Sequence, residues 1–145
     1  DILSRGGLNI KLSSNIDGFR WVKTLINAGI NPVTAIFNAP NKVILDVPEA
    51  REIAEDAVSE GLNVVSKLDI ELPCDPIREM YRIARLTAEN YSSMLQDLLH
   101  SKPTEIDYIN GAIVRFGRKF NIPTPVNQFL IKTVKGLVEW RRKSL

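Results

Sequence analysis

The run of residues 21–32, in which Lys23, Asn27 and Asn31 recur at every fourth position among mostly apolar side chains, constrains this chain more than any other stretch. Each four-residue step turns an α-helix about 40° beyond a full turn, so the three side chains occupy roughly 80° of one face. A helix that is apolar on nearly all its other faces is buried, which predicts a central helix whose polar stripe lies inside the protein or lines a cleft. One ammonium brings three donors, and two carboxamides bring four donors and two acceptors, a set suited to a small, oxygen-rich ligand. A second account is open on spacing alone: the amides satisfy backbone groups at a helix crossing and Lys23 runs its stem out to water. Pro32 bears on the choice. It has no N–H and disfavours helical geometry at Asn31, which predicts a kink and leaves the Ala28 carbonyl as a free acceptor beside the stripe.

The rest of the chain reads as further helices around that one. Residues 1–15, with Arg5, Gly6 and Gly7 and an alternating stretch at 8–12 that predicts a short extended piece, form a connector. Ser14, Asn15 or Asp17 is placed to cap the central helix, which runs to about Phe37 before a turn at 38–41. After the apolar residues 43–45, Asp46 as cap with Pro48 and Glu49 predicts a helix start, and Gly61 its C-terminal stop. Residues 62–65 then read as a brief extended piece. Asp75 and Pro76 open another helix through Met80 and Ala84, and a short one follows Ser92 and Ser93. Thr104 as cap with Asp107 at the third helical position predicts a helix carrying Ile106, Ile109, Ile113 and Phe116 at core spacing. Pro125 opens the last helix, which ends on Arg141, Arg142 and Lys143; cations there complement a helix C-terminus by a few tenths to about 1 kcal/mol, so the cluster reads as a solvated face. The sum is an all-α domain over residues 16–145, with five or six helices and two short extended pieces.

Composition removes several functional classes. In 145 residues there is room for one domain with a real core. The net charge of +2 is too small to argue for nucleic acid or a membrane surface as partner, and no apolar run approaches membrane-spanning length. Cys74 is the single cysteine and His100 the single histidine, so neither an internal disulfide nor a Cys/His metal site is predicted, and the chain is compatible with a reducing cytoplasm. The glycines at 6, 7, 18, 29, 61, 111, 117 and 136 are scattered and form no phosphate-binding loop. What remains for chemistry is one lysine, several amides, a serine and an acid. Lys23 can give a proton or a charged hydrogen bond to an oxygen that turns negative during reaction. Glu105 stands at a helix start, where the backbone dipole favours its ionised form; from position alone, a merely decorated first turn is the better account.

Four sequence blocks then act together. These are the Lys23, Asn27, Asn31 and Pro32 spacing; Asn38, Ala39, Pro40 and Asn41; the run from Ser92 to Asp97; and Thr104-Glu105-Ile106-Asp107-Tyr108-Ile109-Asn110-Gly111. With the turn from Ile122 to Asn127, they resemble the ketopantoate reductase (2-dehydropantoate 2-reductase) family over residues from about 16 to 138. The resemblance implies a helical C-terminal domain of the 6-phosphogluconate dehydrogenase C-terminal-like type, lacking the Rossmann domain that normally precedes it. A chain starting at Asp1 fits a piece of something longer.

By the same resemblance, Lys23 is the proton donor to the substrate ketone. Asn27, Asn31, Asn41 and Ser93 hold a small-molecule 2-keto acid, and Glu105 lies where substrate and NADP cofactor meet. The cofactor is bound mainly by the absent first domain. The implied reaction reduces ketopantoate to pantoate on the way to pantothenate and coenzyme A, in the cytoplasm, and the chain alone is expected to be inert. Glu105 beside Lys23 would keep the lysine charged. Two other readings stand: a paralogous reductase for another branched 2-keto acid, or a free-standing helical module that forms a homodimer through the surface left apolar.

Overall fold

In the computed structural model, which describes residues 15–145, the helix carrying the polar stripe is the axis of the molecule. This helix, α1 (Ile16–Phe37), contacts every other helix. The order along the chain is α2 (Val43–Asp46), α3 (Pro48–Val65), α4 (Pro76–Leu86), α5 (Ser93–Leu99), α6 (Ile106–Phe120) and α7 (Pro125–Lys143). Among the described residues the domain is all-α, with no strand. The expected extended piece at 8–12 and all of the connector but Asn15 lie outside the described residues.

Burial explains the arrangement. From Leu25 to Ala35, α1 buries every residue except Asn27, as its nearly continuous apolar surface requires. Leu25, Ile44, Met80, Met94, Ile113, Leu130 and Val134, each at most 1% exposed, bring six helices to one core. The Asn15 side chain caps α1 by accepting from the Gly18 N–H, and Asn38 ends it in the left-handed conformation at φ 50°. Asp75 accepts from the Ile77 and Arg78 N–H groups at the start of α4, and proline occupies the first turn of α3, α4 and α7.

Three local expectations are corrected. Gly61 does not end α3, which runs on to Val65, so residues 62–65 are helical rather than extended. Gly61 is a packing residue: a Cβ there would lie 2.2 Å from Leu25 Cδ2, so an added methyl group would force that buried side chain of α1 to shift. Asp46 does not cap α3, because it ends the single turn α2, and Val47 occupies the cap position with no side-chain bond. Thr104 does not cap α6 either; the helix starts one residue later than expected, with Glu105 at its N-cap. The short α2 raises the helix number to seven among the described residues.

Candidate active site

The stripe on α1 runs from water into the core. Lys23 is exposed, Asn27 half-buried and Asn31 buried, at 6% exposure. None of the three side chains hydrogen-bonds to another described residue, so the polar atoms of this face are uncommitted. α1 continues as one helix through Pro32. The Ala28 carbonyl, deprived of its usual helical donor by that proline, is not free as expected: Asn110 Nδ2 from α6 donates to it at 3.1 Å. Asn110 is fully buried and also donates to Asn127 Oδ1 at 2.9 Å. Asn127 Nδ2 in turn donates to the Ala57 carbonyl at 3.0 Å and to Glu60 Oε2 at 2.7 Å. The Glu60 carboxylate completes the set by accepting from the Val126 and Asn127 N–H groups at 2.8 and 3.0 Å, closing the start of α7. One largely buried polar chain therefore ties α1, α6, α7 and α3 together, and it reaches α1 at Ala28, beside the stripe.

The remaining candidates are positioned by the elements that pack on α1. The Thr34 hydroxyl, one turn beyond Asn31, lies 3.0 Å from the Asn31 carbonyl oxygen and 2.6 Å from Ser92 Oγ. Ser92 Oγ also caps α5 by accepting from the Leu95 N–H at 3.2 Å. This pins the start of α5 to α1 and leaves the next residue, Ser93, exposed at the first helical position. Asn41 is buried and donates from Nδ2 to Thr87 Oγ1 at 2.9 Å, while its N–H donates to the Asn90 carbonyl, also at 2.9 Å. It thus fastens the turn after α1 to the segment that leads into Ser92. Its Oδ1 is a buried acceptor with no partner among the described residues. Glu105 is exposed at the N-cap of α6, five residues before Asn110, which is roughly 7 Å along the helix axis from the α1 anchor.

The structure therefore brings the start of α5, with Ser93, to the Asn31 end of the stripe, and pins α6, whose N-cap is Glu105, to the residue after Asn27. It forms no ion pair between Lys23 and Glu105 among the described residues. Two hollows of about 570 and 580 Å³ lie along α4 and are lined by other residues, including Arg78, Tyr81 and Arg85. At their edge, burial and the hydrogen bond to Glu55 push the Tyr81 phenol up to about 12. Burial also raises the Cys74 thiol, with Glu79 next, which is the wrong direction for a nucleophile. No group of three or more metal-ligating side chains occurs among the described residues.

Sequence reasoning missed the roles of Asn110, Asn127 and Glu60. The available signal was Pro32, since a carbonyl that loses its helical partner in a core must find another donor.

Residues 15–138 match the family model described as ketopantoate reductase PanE/ApbA C terminal. The chain belongs to this family. A 2-dehydropantoate 2-reductase of Pyrobaculum aerophilum is 42% identical over 136 residues, covering 94% of this chain and 49% of that protein. The chain thus spans about half the length of the curated relatives it matches. Among solved structures, a PanE/ApbA family ketopantoate reductase from Ralstonia eutropha JMP134 superposes with a TM-score of 0.88 at 30% identity, over 97% of this chain and 47% of that one. D-mandelate dehydrogenase, solved with NADH and anilino(oxo)acetate, superposes with a TM-score of 0.82 at 31% identity, over 96% of this chain and 59% of that one. The ketopantoate reductase family C-terminal domain is thus present here as a helical body with an open, uncommitted polar face on α1. No helix among the described residues is long and apolar enough to cross a membrane.

Proposed function

We propose that this chain is the substrate-binding half of a cytoplasmic NADPH-dependent reductase that converts 2-dehydropantoate to pantoate. Its helical body is of the 6-phosphogluconate dehydrogenase C-terminal-like type and works with a Rossmann domain. The observation that carries the reading is the face of α1, where an ammonium and two carboxamides stand without partners among the described residues on a helix that is otherwise buried from Leu25 to Ala35. Uncommitted polar groups at the edge of a core are what a ligand rich in oxygens requires.

NADPH, when bound, supplies the hydride that adds to the C2 carbonyl carbon of the keto acid. The exposed Glu105 carboxylate fits a hydroxyl or amide donor of that cofactor, and it is the residue here that would meet it. The Lys23 ammonium stabilises the negative oxygen as the C=O π bond breaks and gives it one proton, and the neutral amine recovers that proton from water. Asn27, Asn31 and the Ser93 hydroxyl hydrogen-bond the carboxylate and the terminal hydroxyl of the substrate. Asn41 acts from behind, holding the segment that presents Ser93. A site that hydrogen-bonds a substrate hydroxyl rejects an analogue lacking it by roughly 10⁴–10⁵.

The likeness to D-mandelate dehydrogenase favours one second reading, a reductase of another branched 2-keto acid that uses NADH. The test joins this chain to the portion of the Pyrobaculum reductase that precedes the matched segment. Turnover of ketopantoate, 2-ketoisovalerate and phenylglyoxylate is then measured with each nicotinamide cofactor. The proposal expects the highest kcat/KM with ketopantoate and NADPH; a preference for phenylglyoxylate or 2-ketoisovalerate selects the second reading. The chain alone is expected to show no ketopantoate-dependent NADPH oxidation.

A further inference from the structure

The connection between α5 and α6 and the last turns of α7 border a partly open hollow of about 280 Å³ that shares no residue with the α1 face. Its apolar lining is Leu98, Pro103, Val138 and the last residue, Leu145, and its charged side chains are Lys102, Arg141 and Arg142, with no acidic side chain. Arg142 is held by Glu139, with nitrogen–oxygen distances of 2.7 and 3.0 Å. Lys102 and Arg141 pair with no carboxylate among the described residues.

The wall is built rather than loose. Ser101 takes the left-handed conformation at φ 55°, and the turn is closed by bonds from the Ser101 N–H to the Leu98 carbonyl and from the Lys102 N–H to the Asp97 carbonyl, at 3.2 and 2.8 Å. Complementing the dipole of α7 explains cations at residues 141–143, but not a half-buried Arg141 that meets a lysine from another element across an apolar floor.

We propose that this hollow binds a small amphipathic anion, a carboxylate or a phosphate monoester on a short hydrocarbon body. Lys102 and Arg141 take the head, and Leu98, Pro103 and Val138 take the tail. The volume lies just below the usual range for ligand pockets, about 300–1,000 Å³, and is too small to take up a whole dinucleotide or a long acyl chain. Guanidinium and ammonium together suit either head, since both are planar or compact oxyanions that accept charge-assisted hydrogen bonds. The site stands whether or not the reductase reading holds.

The test titrates this chain with octanoate, octyl phosphate and 1-octanol by calorimetry and by amide chemical-shift mapping. Both anions are expected to bind, shifting residues 98–103 and 138–142, with 1-octanol at least about tenfold weaker because it lacks the charged head. The tighter of the two anions shows which head group the hollow prefers. The double variant Lys102→Gln/Arg141→Gln, with its fold checked by circular dichroism, is expected to weaken both anions at least about tenfold and leave 1-octanol unchanged. The proposal is overturned if 1-octanol binds as well as octanoate, if the double variant binds the anions normally, if the shifts fall elsewhere, or if no anion binds by about 10 mM. Should the double variant lose its fold, Lys102→Gln alone carries the same comparison, because Lys102 is exposed.

Discussion

Asn127 is fully buried, and its side-chain polar groups are all engaged, by Asn110 on one side and by Ala57 and Glu60 on the other. Truncating it leaves buried donors and acceptors unpaired at about 1–3 kcal/mol each, so Asn127→Ala is expected to lower the unfolding free energy by about 2–4 kcal/mol in a urea titration. Lys23→Ala, at an exposed position with no partner among the described residues, is expected to stay within about 0.5 kcal/mol. The two residue types look alike along the sequence, polar positions in apolar helices. Which amide faces a ligand and which ties helices depends on a crossing between residues far apart in the chain, and spacing within one helix does not encode it.

Tyr81 supplies a second check at this scale. Its phenol is held up to about 12 by burial and by Glu55, above its ordinary 10.0, so the fold favours the neutral form. That contribution is complete below pH 10 and is lost as pH rises from 10 to 12. Thermal melts should therefore show the Tm margin of the wild-type chain over Tyr81→Phe constant below pH 10 and shrinking toward pH 12.

At the scale of elements, glycine separates what was legible from what was not. The starts of α4 and α7 could be read directly, because a proline at the first turn is a local signal, joined in α4 by the Asp75 cap. Gly61 reads as a stop by the same local logic, yet it lies inside α3, where Leu25 Cδ2 and Ile113 Cδ1 stand 2.2 and 3.1 Å from the position its Cβ would take. Tertiary contact, not helix propensity, fixes the residue there. Gly61→Ala is accordingly expected to destabilise by about 1–3 kcal/mol, since overpacking outweighs the better propensity of alanine. Gly136, exposed on α7 with nothing within 4 Å of the place an added methyl group would occupy, gives the control. There the same change is expected to stabilise by roughly 0.5–1 kcal/mol, both read from denaturant midpoints.

At the scale of the whole molecule, the central helix and the all-α class were legible because the apolar surface of residues 21–37 is too extensive for any exposed helix. The candidate site is legible only in part. Its residue types stand out along the chain, and Asn31 and Ser93 are tied through Thr34 and Ser92. Lys23, Ser93 and Glu105 are nevertheless all exposed, so this body presents an open face rather than an enclosed pocket. On the proposed reading, the hydride donor's domain covers that face and excludes water from it, which strengthens the charge stabilisation Lys23 provides. Lys23 is then the group on which the whole reading turns. The direct measurement is kcat for ketopantoate reduction by the joined enzyme, compared with its Lys23→Ala form. The account predicts a fall of roughly 10²–10⁴ with the fold intact, whereas a loss below about threefold would show that Lys23 gives no proton to the substrate.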